Sequence, residues 1–398
     1  MIYFDDALQI VLSCASAPLD SEEVSLTRAL GRILAADITS DMDMPPFDKS
    51  AMDGYACRVA DLDRPLKVIE TIPAGYQPRL AISQGECSKI MTGAMIPEGA
   101  DCVVMVEHTR EEEDGFIRVM KKDGPPNISR RAEDIQQGDT VLKRGTRITP
   151  AEIADLASVG CDPVPVVRRP VVGVLATGCE LVEPTQKPNP VQIRNSNSYQ
   201  LCAQVERAGC LPHYFGIAED NPETIDRMIK QALAESDVVL LSGGVSMGDF
   251  DFVPEILEHN KVEIKFRKVA VKPGKPVVFG TLDSSRGGKY FFGLPGNPVS
   301  TFVLFEVLVR PFLFRLMGSS DQRLRITARL RKSLKRKKVD RMEYIPVSLA
   351  SDGLVERVDY HGSAHIHAYT GAHGIIALPI GVAEIKEGSE VSVLLISS

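Results

Sequence analysis

The sequence predicts a multidomain α/β protein whose central domain carries a mostly parallel sheet. Around it stand a discontinuous helix-containing domain, a β-rich lobe and a C-terminal β domain. Three observations support this. Residues 170–318 alternate short apolar runs with helix patterns that open on Asn, as βαβ units do. Residues 39–138 and 319–398 show strand-length runs separated by Gly and Pro turns. Between the first β segment and the α/β segment, Thr149-Pro150-Ala151-Glu152 is a capping-box helix start. The expected division is therefore 1–38 with 139–169, then 39–138, 170–318 and 319–398.

Taken in order, Ala7, Ile10, Val11 and Cys14 recur at helical spacing, and Thr27 can cap a second helix from Arg28 to Ala35. Val11-Leu12-Ser13-Cys14-Ala15 resembles a lipoprotein cleavage box, but Asp5 and Asp6 precede it and no basic residue does, so a helix is the better reading. A Pro- and Asp-rich break at 42–48 leads into the lobe. Its strand candidates are Val68–Ile72, Ser88–Thr92, Cys102–His108 and Phe116–Met120. The helix opened by Thr149 runs to about Val159.

In the α/β segment, Val171–Ala176, Leu211–Ile217 and Val238–Leu241 read as buried strands, followed by Val277–Gly280 and Tyr290–Gly293. Asn197 or Ser196 can cap a helix to Arg207, and Asn221-Pro222 starts another to Glu235. Asn297-Pro298 opens a long apolar helix that Pro311 should kink or end. Five further strands are expected: Leu324–Leu330, Glu343–Leu349, Gly353–Val358, Gly374–Leu378 and Glu390–Ile396. The basic run 329–338 reads as a solvated strand and turn.

Bulk properties exclude several classes. Net charge is −7, against a nucleic-acid-coating protein. No apolar run approaches membrane-spanning length. The 8 cysteines show no CxxC pair and no zinc spacing, which suits reduced thiols in a cytoplasmic protein. His361, His365 and His367 fit no zinc template, and Cys179 beside Glu180 is no obvious nucleophile. Neither a Walker loop nor GxGxxG is present.

The chemistry lies in loops that follow strands. Val238–Leu241 feeds Ser242-Gly243-Gly244, a loop of the kind that turns backbone N–H groups toward a phosphate. Asp249 and Asp251 lie just beyond. Glu180 follows the first central strand and Asp220 the second. In a parallel sheet these converge at one edge. With Mg²⁺ or another divalent cation between Glu180, Asp220 and Asp251, a phosphate can sit there and be opened to attack by water. Lys272 and Lys275, in Lys272-Pro273-Gly274-Lys275-Pro276, supply charge for a second oxyanion, near Leu294-Pro295-Gly296-Asn297-Pro298.

Eight stretches, taken together, resemble the MoeA-type molybdopterin molybdenumtransferases, whose fold is shared by the E domain of gephyrin. They are PPFDKSAMDGYA (45–56), IMTGAMIPEGAD (90–101), RRAEDI (130–135), ATGCEL (176–181), SGGVSMGDFDF (242–252), VKPGKPVVFG (271–280), GLPGNPVS (293–300) and HGSAHI (361–366). The resemblance implies a MogA-like central domain, four subdomains and an elongated homodimer. It implies insertion of molybdate into adenylated molybdopterin with divalent-cation-dependent release of AMP. It also implies traffic with a molybdopterin adenylyltransferase and acceptor molybdoenzymes, without nucleic acid or membrane. By motif match, Asp220 and Asp251 bear on metal and phosphate cleavage with Glu180 beside them. Ser242, Gly243, Gly244, Pro276 and Asn297 line the substrate. Lys272, Lys275, Ser300 and Ser363 hold molybdate or the pterin phosphate. Asp53, Thr92 and Asp134 fall on functional positions of the lobe, which in the family dimer faces the partner's α/β domain. The alternatives are a molybdopterin adenylyltransferase, which the α/β domain alone resembles, and a non-catalytic dimeric scaffold of the gephyrin type. Three positions depart from the family: Cys179 where an acid is usual, Lys49 where Asn is frequent, and Pro346 where many members carry Arg. Arg341 is the expected substitute for that last contact.

Overall fold

The computed structural model describes residues 1–15, 18–122, 124–245, 253–283 and 288–396. Helix α1 (Phe4–Cys14) buries Phe4, Ala7 and Val11. These side chains join the core of the central domain, not that of residues 139–169, and the Phe4 ring meets Tyr344 edge-on at 5.5 Å. The helix expected at 28–35 does not form. A 3₁₀ turn, Leu26–Arg28, ends early because Gly31 takes φ 77°, and Ile33 and Leu34 then bridge to Arg147 and Val166. Ala29, Leu34 and Ile38 share one core with Ile148, Leu156, Val164 and Val166, so both ends of this segment meet in space.

The lobe is a six-stranded sheet: β1 (Gly54–Cys57), β2 (Leu66–Ile72), β3 (Glu86–Ile90), β4 (Cys102–Met105), β5 (Thr109–Glu111) and β6 (Phe116–Val119), in the order β4-β1-β3-β2-β6-β5. β4 stops at Met105, where a 3₁₀ turn, Val106–His108, takes over from the longer strand expected. Helix α2 (Pro150–Ser158) has the capping box its sequence announces.

The central sheet contains β7 (Val171–Thr177), β8 (Leu211–Ala218), β9 (Val238–Ser242), β10 (Glu263–Lys268), β11 (Pro276–Leu282) and β12 (Lys289–Leu294). Its order is β8-β7-β9-β12-β11-β10. The first four run parallel, β11 runs antiparallel to β12, and β10 runs antiparallel to β11. Successive side chains alternate between faces. Val172, Val174, Val238 and Leu240 therefore pack toward α3 (Asn197–Arg207), and Leu175, Val239 and Leu241 toward α4 (Pro222–Glu235) and α5 (Val253–His259). Asp237 seals the opposite edge. It accepts a two-pronged bond from Arg168 at 2.7 and 2.8 Å and a third from Val171 N. Burial pushes its carboxyl up, but these bonds win and hold it below the usual range.

Pro311 does not end the last helix. α6 (Pro298–Leu304) passes through a π turn, Phe305–Val309, into α7 (Arg310–Leu316), with Pro311 in its first turn. A wider turn there accommodates the missing N–H and the ring. The π turn also points Glu306 inward. It is fully buried and accepts from Arg207 at 2.6 Å, Arg323 at 2.5 Å and Gln204 at 2.5 Å.

The C-terminal strands β13 (Arg325–Leu330), β14 (Met342–Leu349), β15 (Leu354–Arg357), β16 (Gly374–Leu378) and β17 (Glu390–Leu395) close into a barrel, because β14 pairs with both β15 and β16. The basic run is not wholly solvated: the Arg336 side chain is 5% exposed and donates to the carbonyls of Val382, Arg341 and Pro379. The barrel also pairs Met342–Glu343 with Val271–Lys272, which ties it to the loop before β11. No helix among the described residues is long and apolar enough to cross a membrane.

Removing Glu306 takes one carboxylate from buried Arg323, which keeps Asp321, and from the partly exposed Arg207. Glu306→Ala should cost about 1.5–3 kcal/mol, read from urea unfolding. A loss below about 1 kcal/mol would show that the network contributes little.

Candidate active site

The carboxyl ends of β7, β8, β9 and β12 converge on a cavity of about 830 Å³. It is lined by Thr177, Gly178, Glu180, Asp220, Ser242–Val245 and Pro295–Pro298, with Arg194–Asn197 on one side. Two glycines make the convergence possible. A Cβ on Gly243 (φ 96°) would stand 2.5 Å from the Thr177 carbonyl oxygen, and one on Gly244 (φ 64°) 2.8 Å from the Thr177 methyl. Gly243 N instead donates to Leu294 O at 3.0 Å, which docks the β9 loop on the β12 loop.

Asp220 shapes the loop after β7. Thr177 Oγ1 donates to it at 2.8 Å and Cys179 N at 3.0 Å. Glu180 folds back over Gly178, where a Cβ would meet its carboxylate at 2.6 Å. Among the described residues, Cys179, Glu180 and Asp220 bring one donor atom each within 4.8 Å of one another. Two carboxylates at that spacing suit a hard cation such as Mg²⁺, and the thiol does not. Asp249 and Asp251 lie outside the described residues.

A second cavity, about 510 Å³, adjoins the first. Pro276, Pro295 and Asn297 line both. Its walls carry Lys272, Lys275, Ser300, Arg341 and Ser363, all anticipated, and also Glu343 and Arg357. The N-terminus of α6 is fixed to the 361–366 loop by Val299 N donating to Ser363 O at 3.0 Å. Lys272 is ion-paired to Glu343 at 2.7 Å, whereas Lys275 and Arg357 have no carboxylate partner among the described residues. The niche therefore presents net positive charge to a small anion.

Asp53, Thr92 and Asp134 line neither cavity. They lie exposed in and beside the lobe. Asp53 and Thr92 are joined: Thr92 donates through both Oγ1 and N to Asp53 Oδ1, each at 2.6 Å. Those bonds, the hydroxyl's first, hold the Asp53 carboxyl below its usual value.

Three residues escaped the sequence reading: Asn197, Glu343 and Arg357. Ser196 takes the N-cap position of α3 without a side-chain bond, and Asn197 is the first residue of the helix. Its side chain instead spans Ser242 and Gly296. Arg357 gave no signal, because only the barrel's register brings it to the niche.

A doubly wound sheet with a Gly-lined, acid-bearing cleft beside a cationic niche defines a class of protein that handles a phosphorylated ligand together with a small anion. Comparison with known proteins narrows the class. Three family profiles match in chain order: "MoeA N-terminal region (domain I and II)" over residues 2–160, "Probable molybdopterin binding domain" over 173–315, and "MoeA C-terminal region (domain IV)" over 327–396. The molybdopterin molybdenumtransferase of a Nostoc species is 39% identical over 388 residues, covering 94% of this chain and 88% of that protein. The enzyme of that name from Bacillus subtilis is 37% identical over 391 residues, covering 95% and 90%. A crystal structure of the molybdopterin biosynthesis MoeA protein from Pyrococcus horikoshii superposes with a TM-score of 0.86 at 29% identity, over 100% of both chains. The chain belongs to the molybdopterin molybdenumtransferase family, the MoeA proteins, and is a transferase of molybdenum cofactor biosynthesis. The expected fold class is borne out with it.

Thr92→Val removes the hydroxyl bond to Asp53 and keeps the backbone one. The Asp53 carboxyl should then titrate at higher pH, part of the way back to an ordinary Asp. Carboxyl-carbon NMR titration reads this, and an unmoved titration would show that the hydroxyl does not hold the charge.

Proposed function

We propose that the chain transfers molybdenum from molybdate to adenylated molybdopterin and releases AMP as it does so. One observation carries the reading. A large polar cavity with two acids shares a wall with a smaller, net-cationic niche. The larger suits an extended phosphorylated heterocycle, and the smaller suits a tetrahedral oxyanion.

In this reading the backbone of Ser242–Gly244 faces the substrate phosphate. A divalent cation held by Glu180 and Asp220, with Asp251 as the third expected ligand, would neutralise phosphate charge there. Asp220 keeps the Thr177–Cys179 loop in place through its two hydrogen bonds. Lys275, Arg341, Arg357, Ser300 and Ser363 hold molybdate against the shared wall. Hydrolysis adds water to phosphorus and breaks the bond to the pterin-side phosphate, so AMP leaves.

We also place the protein in the cytoplasm as a homodimer. Its 8 cysteines are free, as a reducing compartment allows. Asp53, Thr92 and Asp134 lie exposed outside both cavities, which suits a site completed by the lobe of a second chain.

The test supplies adenylated molybdopterin, Mg²⁺ and molybdate. AMP should appear only when substrate and divalent cation are both present. Consumption of ATP with free molybdopterin would mark an adenylyltransferase instead. No turnover of either substrate by a folded dimer would leave the scaffold reading.

The niche makes its own prediction. Lys275→Ala and Arg357→Gln should each raise the molybdate concentration for half-maximal insertion about 10- to 100-fold, the worth of one charge-assisted bond. Equal half-saturation in wild type and both variants would place molybdate elsewhere.

A further inference from the structure

A separate cavity, about 330 Å³, lies at the amino end of β8, so it opens at the other end of the parallel sheet from the cleft. Leu30, Gly31 and Arg147 of the helix-containing domain form one side of it, and the turn from α3 into β8 forms the other. Arg147, Arg169 and Arg207 all line it. Arg207 is committed, donating to Glu306 at 2.6 Å and to the Ile396 carbonyl. Arg147 and Arg169 have no hydrogen bond or ion pair among the described residues, and Arg169 Nε is buried. Among those residues Glu206 is the carboxylate on this wall, and it is exposed and in no ion pair.

The charge behind the wall is also unbalanced. Arg207, Arg310 and Arg323 share only Glu306 and Asp321. The side chains of Arg310, Arg323, Glu306 and Asp321 are all more than nine-tenths buried. Arg310 Nη1 has no partner, and burial together with nearby Arg323 pushes this guanidinium down from its ordinary value. Arg147 and Arg310 both approach the Phe314 ring, at 6.0 and 5.1 Å from its centre. Burial raises the thiol of Cys210, which lines the cavity, while Arg310 and Arg169 pull it the other way, as cations close to this wall do. A surplus of buried positive charge is costly unless an anion joins it.

We propose that this cavity binds the phosphate dianion of a small phosphorylated ligand, held by the guanidinium groups of Arg147 and Arg169 and backed by Arg207. Arginine's planar fork matches two oxygens of a phosphate at once. The rim favours an ester over the bare ion. Leu30 and Leu211 are 57% and 44% exposed there, and an apolar body on the phosphate would cover them. The site lies outside both compartments of the cleft, and its occupancy does not depend on the chemistry proposed there.

The probes are inorganic phosphate and phenyl phosphate, titrated calorimetrically into the intact protein without divalent cation. Wild type should show a saturable site that Lys275→Ala leaves unchanged. Arg147→Gln and Arg169→Gln should each weaken that site about 10- to 100-fold, while keeping the wild-type half-saturation for molybdate. Arg147 is exposed, so its variant decides the matter if Arg169→Gln fails to fold. Tighter binding of phenyl phosphate names an organic phosphomonoester as the occupant, and equal or weaker binding names inorganic phosphate. Unchanged binding in both arginine variants overturns the proposal, and its loss in Lys275→Ala would then put the anion in the niche. Absence of saturable binding by the wild type overturns it as well.

Discussion

The cleft depends on one close approach: the loop after β9 lies against the loop after β7. Gly243 permits it, since any side chain there would run into the Thr177 carbonyl. With the two loops in contact, Ser242 is brought under Asn197 and Gly243 N reaches Leu294 O. Asp220 then fastens the β7 loop from its other side. Loops from four parallel strands are thus cross-linked by hydrogen bonds near the cavity. A parallel sheet supplies this convergence because all its carboxyl ends lie on one edge, and side-chain clamps turn it into a shaped site.

Charge is divided between two compartments. The larger cavity carries Glu180 and Asp220, and the smaller one has a surplus of cations. The surplus is modest. Glu343 lies between Lys272, at 2.7 Å, and Arg336, at 3.6 Å, and so offsets part of it. Lys272 is therefore anchored as well as cationic, and its strand segment is paired to the barrel through Val271–Lys272. The C-terminal barrel contributes to the niche in two ways: it supplies Arg341 and Arg357, and it fixes the Lys272–Lys275 loop by backbone pairing.

Periodicity and punctuation made most of the fold legible. The buried runs of β7 and β9, the Asn-Pro start of α4 and the capping box of α2 each state their structure locally. The expected helix at 28–35 failed because its apolar side chains answer to partners more than 100 residues away, beside Arg147 and Val166. The π turn before Pro311 gave no signal, because it is invisible to a 3.6-residue pattern. In the cleft, acids and lysines that follow strands could be read from the chain, since topology alone brings them together. Asn197 and Glu343 could not. Each acts through a tertiary partner that no spacing announces: Gly296 for Asn197, Lys272 for Glu343.

The departures from the family pattern can be weighed in the same terms. Pro346 lies buried in β14 opposite Ile375, where it offers no cation to the niche. The next residue, Val347, is paired with Arg357 on β15, and Arg357 lines the niche without a carboxylate partner among the described residues. Cys179 is a different case. Its backbone N–H still donates to Asp220, so the loop keeps its shape whatever side chain stands at that position. The exchange changes the donor set without changing the geometry. Two carboxylates remain, and Asp220 retains lone pairs beyond the two bonds it accepts. Positions 346 and 347 face opposite sides of β14, so Arg357, paired with Val347, does not occupy the place of a side chain at 346, whereas at 179 the loop keeps its shape and only the donor set changes.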